Sequence, residues 1–76
     1  MSKTLPVVST RDVLRALAKV GFREIPRRGK GSHRVAVRES PRRMIIVPER
    51  REVPTGTMRA IIREAGLTVD EFRALL

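Results

Sequence analysis

The segment FREIPRRGKGSHRVAVRESPRRMIIVP, residues 22–48, decides the fold because it divides into three short extended pieces joined by turns. In the second piece polar and apolar residues alternate, which places His33, Val35 and Val37 on one side of a strand. Glycines interrupt the first connection and Pro41 interrupts the second, as is typical of turns. Connections this short favour antiparallel pairing. The sequence therefore predicts a three-stranded antiparallel sheet, with strands at Phe22–Arg27, at His33–Arg38 and in a short buried run at Met44–Val47.

Apolar residues recur at helical spacing before this segment. The helix starts near Arg11, where the hydroxyl of Ser9 or Thr10 can accept hydrogen bonds from the first free backbone N–H groups. Gly21 is expected to end the helix, because glycine readily adopts the positive φ found there. The apolar positions of this helix are Val13, Leu14, Leu17, Ala18 and Val20.

Helical spacing returns after the third strand. Thr55 or Thr57 can cap a second helix, and Gly66 is expected to end it. Its apolar stripe consists of Met58, Ile61, Ile62 and Ala65. Thr68 and Glu71 then form a Thr-x-x-Glu capping box, which predicts a short last helix.

The predicted order of elements defines the fold class. A helix, three strands and a helix, followed by a short extra C-terminal helix, predict an α+β fold with the α-β-β-β-α order. The helices should pack on one face of the three-stranded antiparallel sheet and leave the other face open. We expect a single domain over residues 9–76, preceded by a flexible N-terminal segment over residues 1–8.

Positive charge is the strongest compositional signal. The chain has 17 Lys and Arg against 8 Asp and Glu, a net charge of +9. From Arg23 to Arg51 there are ten basic and three acidic residues, so this stretch carries +7 of the total. Arginine pairs well with phosphate oxygens, which favours a polyphosphate such as RNA as the partner. An acidic protein, or a basic surface exposed only to solvent, would also account for these charges.

Composition also limits the compartment. The chain has no cysteine, which excludes a disulfide scaffold and fits a reducing compartment. Its uncharged apolar runs are far shorter than the roughly 20 residues that a membrane span needs. We therefore expect a cytoplasmic protein that makes no membrane contact.

His33 is the candidate catalytic residue. It is the one histidine of the chain and follows Gly29-Lys30-Gly31-Ser32 within the basic stretch. Histidine, with an ordinary pKa of about 6.5, can transfer protons near neutral pH, and neighbouring cations would collect a phosphodiester. A lone histidine is nevertheless more often structural or merely exposed, and the glycines could simply allow a tight hairpin.

Other chemistries fit less well. The carboxylates are scattered, apart from Asp70-Glu71, so the sequence predicts no metal site. The Gly-x-Gly fragment lacks the Gly-Lys-Ser/Thr tail of a phosphate-binding loop, and no other cofactor motif is present. Phe22 and Phe72 are interpreted as core residues rather than platforms for stacked bases. This favours recognition of the RNA backbone and its 2′-hydroxyls.

From Gly31-Ser32-His33 outward, the sequence resembles the HicA toxin family, which are mRNA interferases of type II toxin–antitoxin pairs. The resemblance covers about residues 9–76 and includes the segments Val20–Phe22, Arg28–His33, Ile46–Pro48, Gly56–Leu67 and Glu71-Phe72. It implies a double-stranded-RNA-binding-like fold, ribosome-independent cleavage of mRNA, and neutralisation by a HicB-type antitoxin bound over the active face. The catalytic histidine of the family corresponds to His33.

Two departures from the family pattern concern the chemistry. Family members often have an aromatic residue in the strand after the histidine, where this chain has Arg34-Val35-Ala36-Val37. Many also have a second histidine two places after the proline, at the position of Arg50. A mechanism that requires two histidines is therefore excluded.

The predicted reaction is attack of an RNA 2′-hydroxyl on its own phosphate, with His33 taking or giving the proton. No cofactor is expected, and Lys30, Arg28 or Arg34 would neutralise the phosphate. The full set of predicted RNA-binding residues is Arg27, Arg28, Lys30, Ser32 and Arg34. A non-catalytic RNA-binding module with the same fold remains an alternative, as does a protein-interaction domain or an inactive relative.

Overall fold

A computed structural model of the chain describes residues 5–25 and 33–76. Within these ranges the elements are α1 (Thr10–Ala18), β1 (Arg23–Ile25), β2 (His33–Arg38), β3 (Arg43–Pro48), α2 (Thr55–Glu64) and α3 (Val69–Leu75). The predicted α+β class and the α-β-β-β-α order with an extra C-terminal helix are confirmed. Across the described ranges, none of the helices has the length and apolar character that a bilayer span requires.

The strands form one antiparallel sheet in the order β1-β2-β3. Ala36, in the central strand, pairs with Glu24 of β1 on one side and with Ile45 of β3 on the other. His33, at the start of β2, pairs with Pro48, at the end of β3. β2 has the bounds predicted from its alternating sequence, whereas β3 extends one residue beyond the predicted run at each end.

The two faces of the sheet are covered differently. Ile45 and Val47 of β3 are both 0% exposed and belong to the core together with Ala36 of β2. Met44 and Ile46, which point the other way, are 57% and 53% exposed. The prediction of a continuous buried run at residues 44–47 is therefore wrong, because successive strand residues point to opposite faces and the helices cover only one.

The core lies between the covered face and the helices. The predicted stripe of α2 is buried at all four positions, and Phe22 and Phe72 are core residues as predicted. The core residues contributed by the helices are Val13, Ala16 and Leu17 of α1, Met58, Ile61 and Ile62 of α2, and Phe72 of α3. Helices therefore form one layer and the sheet forms the other.

Capping explains where α1 and α3 begin. Ser9 caps α1 by accepting a hydrogen bond from the Asp12 backbone N–H, and the Asp12 carboxylate accepts one from the Ser9 N–H. Thr68 and Glu71 form the corresponding reciprocal pair in α3, so that predicted capping box is confirmed. Each cap satisfies backbone N–H groups that have no acceptor within the helix.

The predicted threonine cap of α2 is wrong. The N-cap position is occupied by Pro54, and among the described residues no side chain caps this helix. Thr55 and Thr57 already lie inside the helix, beyond the position from which a hydroxyl could cap it. The proline ring holds φ at about −65°, a value that suits the start of a helix, and Pro54 has a φ of −59°.

Gly21 and Gly66 end α1 and α2 with the same turn. Gly21 has a φ of 96°, and the Phe22 N–H donates to the Leu17 carbonyl at 3.1 Å. Gly66 has a φ of 77°, and the N–H of the next residue donates to the Ile62 carbonyl, also at 3.1 Å. This hydrogen-bond pattern, with glycine at positive φ, is the Schellman motif. At the first turn it directs Phe22 into the core.

Residues that precede α1 also contact the core. Val8 is 6% exposed, and its carbonyl accepts a hydrogen bond from the Val53 N–H at 2.8 Å. This contact connects the end of the segment that the sequence predicted as flexible to the residues just before α2. The division of the chain at residue 9 stays a prediction.

Candidate functional site

His33 is exposed at one end of the sheet, on the face that the helices leave uncovered. From the register, this open face consists of Arg23, Ile25, His33, Val35, Val37, Met44, Ile46 and Pro48. Most of its residues are apolar, and Met44 and Ile46 are more than half exposed. Val37 is buried within this face, whereas His33 lies exposed at its edge, where a large ligand can reach the imidazole.

Four of the predicted RNA-binding residues, Arg27, Arg28, Lys30 and Ser32, lie outside the described residues. Their assignment to RNA stays a prediction. In the sequence, the stretch that contains them ends directly before His33.

Arg34 lies on the covered face, opposite to His33, because adjacent strand residues point to opposite faces. Its guanidinium makes two contacts with Glu24, from Nε to Oε2 at 2.5 Å and from Nη2 to Oε1 at 2.9 Å. Nη1 lies 3.3 Å from both carboxylate oxygens of Glu49. Hydrogen bonding to Glu24, with further attraction from Glu49, raises the pKa of Arg34 above its already high usual value. The structure therefore does not bring Arg34 and His33 together.

Thr10 connects the start of α1 to this end of the sheet. Its side chain hydroxyl donates to the Pro48 carbonyl at 2.5 Å and accepts from the Arg50 N–H at 2.7 Å. Thr10 is 1% exposed, so the bonded hydroxyl is buried. Sequence reasoning considered Thr10 only as a possible cap, and no local signal could have revealed partners 38 and 40 residues away.

Basic side chains line a groove between α1 and the strands. The groove encloses about 390 Å³ and is bordered by Arg11 and Arg15 of α1 and by Arg23 of β1. Lys19, one helical turn beyond Arg15, donates from Nζ to the Leu75 carbonyl at 2.9 Å. Glu24 and Arg34 also line this groove, so Arg34 lies near the basic side chains of α1.

Acidic and histidine side chains are dispersed. Over residues 5–25 and 33–76, no three of them come close enough to hold a metal ion. The carboxylates nearest to the start of β2, those of Glu24 and Glu49, are engaged with Arg34.

Comparison with known families gives one match. A family model described as the HicA toxin of bacterial toxin–antitoxin systems matches residues 10–67, which is more than half of the chain. No curated protein sequence matches the chain. The matched range runs from the first residue of α1 to the residue after Gly66, and thus includes the whole sheet and His33. The chain belongs to the HicA toxin family of bacterial toxin–antitoxin systems.

Proposed function

We propose that this toxin is a ribosome-independent endoribonuclease that acts in the cytoplasm and uses His33 for general acid/base catalysis. The observation that carries the proposal is the position of His33, exposed on the open face directly after the basic stretch of residues 27–32. An exposed imidazole beside cations suits proton transfer at a bound phosphodiester. Membership of a toxin family gives that chemistry a physiological role.

The proposed reaction is an intramolecular transesterification of RNA. The 2′-oxygen forms a bond to the adjacent phosphorus while the bond from phosphorus to the 5′-oxygen breaks, which leaves a 2′,3′-cyclic phosphate. His33 removes the proton from the 2′-hydroxyl or delivers a proton to the departing 5′-oxygen. Because the chain has one histidine, water carries the other proton transfer.

Phosphate neutralisation is assigned to basic residues of the stretch that precedes His33 in the sequence. Arg28 and Lys30, within five residues of His33 in the sequence, remain the proposed phosphate ligands. Arg34 is a weaker candidate than the sequence indicated, because two carboxylates already surround its guanidinium.

The decisive experiment compares wild type with His33→Ala on one RNA. We expect the variant to bind RNA and melt like wild type but to lose cleavage, because an exposed side chain contributes little to folding. Cleavage by wild type should continue in EDTA and should release a 2′,3′-cyclic phosphate. Arg73→Ala, an exposed change on α3, serves as the matched control and should cleave normally.

Two results would contradict the proposal. Cleavage by a folded His33→Ala variant would remove His33 from the chemistry. RNA binding by wild type without any cleavage would favour the non-catalytic RNA-binding module.

We further propose that a HicB-type antitoxin covers the open face. The exposed Met44 and Ile46, together with the half-buried Ile25 and Val35, form an apolar surface next to His33. Exposed apolar patches of this kind mark interaction sites. A second copy of the chain is disfavoured as the occupant, because each copy carries a net charge of +9. An antitoxin surface with an apolar centre and acidic surroundings would match both the patch and the charge.

A further inference from the structure

The start of β2, where His33 lies, pairs with the end of β3. The described pairs between β1 and β2 end at Ile25 and Val35. His33 and Arg34 lie beyond that point, and their described backbone pairing is with Pro48 and Val47 of β3. β3 therefore supports the backbone that presents His33.

Arg34 adds side-chain contacts to β1 and to the end of β3. Its Nε and Nη2 atoms hold both carboxylate oxygens of Glu24 in β1, at 2.5 and 2.9 Å. Its Nη1 atom reaches Glu49, the residue that follows β3, at 3.3 Å. One guanidinium thus connects β1, the start of β2 and the residue after β3. It does so on the covered face of the sheet, behind the paired residues His33 and Pro48.

The pairing of Arg34 disfavours a direct role in RNA binding. Its guanidinium is engaged with two carboxylates, and the side chains of Arg34, Glu24 and Glu49 are 29%, 32% and 48% exposed. An RNA phosphate would have to replace a carboxylate and would meet the second carboxylate as it approached. A paired guanidinium with fixed fork geometry is better suited to holding backbone segments in place.

We propose that Arg34 is a positioning residue, which fixes the start of β2 through Glu24 and Glu49 so that His33 meets the scissile phosphate in a reactive orientation. This inference rests on the proposed ribonuclease function. Displacement of a catalytic group by about 1 Å can lower a rate about a hundredfold, so a change at Arg34 would be seen in turnover.

Two substitutions that change the net charge in opposite directions distinguish a positioning residue from an RNA ligand. Arg34→Gln removes a cation, and Glu24→Gln removes an anion that engages this cation. If Arg34 positions His33, both variants lower kcat, by about tenfold or more, and leave KM and the salt dependence of RNA binding unchanged within about twofold. Arg34→Lys should recover part of the lost kcat, because an ammonium keeps the charge but lacks the planar fork that holds both oxygens of Glu24.

If Arg34 binds RNA instead, the two variants change affinity in opposite directions. Arg34→Gln would weaken RNA binding and reduce the salt slope by about one, whereas Glu24→Gln would strengthen binding. That outcome would overturn the proposal. The matched controls are Arg73→Gln and Glu52→Gln, which change the same charges at exposed positions outside the cluster and should leave kcat unchanged.

A readout that does not depend on cleavage separates this inference from the proposed function. The NMR order parameter of the His33 backbone amide should fall in both Arg34→Gln and Glu24→Gln, while that of the core residue Ile45 stays constant. Exposed ion pairs contribute little to stability, so we expect both variants to remain folded. If wild type cleaves no RNA, the proposed function fails, and the NMR comparison still tests whether Arg34 orders His33. An unchanged order parameter at His33 would overturn the positioning role.

Discussion

The covered and the open face of the sheet are built from similar residues but have different surroundings. Along β3, Ile45 and Val47 pack under the helices, whereas Met44 and Ile46 alternate with them and face outward. A polar residue at positions 44 and 46 would suit a sheet that faced only water. The apolar residues there are the reason that we propose this face as the antitoxin contact.

Position determines what a given side chain does in this sheet. Ile45 and Ile46 are identical and adjacent, and their exposed fractions are 0% and 53%. The first is expected to stabilise the fold and the second to stabilise a complex. Substitutions at these two positions therefore test the comparison directly.

The largest expected effect is on folding stability. Ile45→Ala should lower the free energy of unfolding by about 2–4 kcal/mol, because it removes buried methylenes and leaves a cavity. Ile46→Ala should change it by about 0.5 kcal/mol or less, as for most surface substitutions. Urea denaturation of both variants measures the difference. Similar losses at the two positions would show that the open face is covered within the monomer.

The next effect concerns the complex with the antitoxin. Ile46→Asp should weaken antitoxin binding about 30-fold, or about 2 kcal/mol, because a carboxylate would be buried at the centre of an apolar contact. Calorimetric titration with the cognate antitoxin measures this change. Ala74→Asp makes the same charge change at an exposed position on α3 and is the control. Weakening by the control alone would place the antitoxin on the helix layer.

The smallest effect is on the helix layer and depends on pH. The backbone and side-chain hydrogen bonds of Ser9 lower the pKa of Asp12 below its ordinary value. The stabilisation by this carboxylate is therefore fully present above about pH 4 and is lost as the pH falls through the lowered pKa. Asp12→Asn should melt at a lower temperature than wild type at pH 6, and the difference should shrink in strong acid. A difference in melting temperature that persists unchanged in acid would contradict this assignment.

The sequence predicted those parts of the fold that depend on near neighbours. The cap at Thr68 and the glycine turns at Gly21 and Gly66 each involve residues within about five positions of one another. The α1 cap is also local, and of the two candidates that the sequence offered, Ser9 and Thr10, it is Ser9. β2 was predicted within its observed bounds because its residues alternate. These features follow from local hydrogen bonding and periodicity, which a sequence displays directly.

Apart from the α2 cap, where Pro54 precedes the helix in place of a threonine, the errors and omissions originate in long-range contacts. The run Met44–Val47 is apolar throughout, so the sequence could not show that only alternate residues would be covered. The engagement of Arg34 with Glu24 and Glu49 depends on β1 and the end of β3 lying on either side of β2. Of the predicted site, the structure confirms neither the chemistry of His33 nor its cations, which stay predictions.

The hydrogen bonds of the Thr10 hydroxyl affect when the toxin can fold during its synthesis. It joins residue 10 to residues 48 and 50, and the carbonyl of Val8 is bonded to residue 53. Closing loops of this length is slow compared with forming local turns. These contacts can form only after residues 48–53, which lie about two thirds of the way along the chain, have left the ribosome. The end of the sheet that carries His33 is therefore assembled late in translation. We expect nascent toxin to stay inert during most of its own translation, which leaves time for an antitoxin to be present when the site forms.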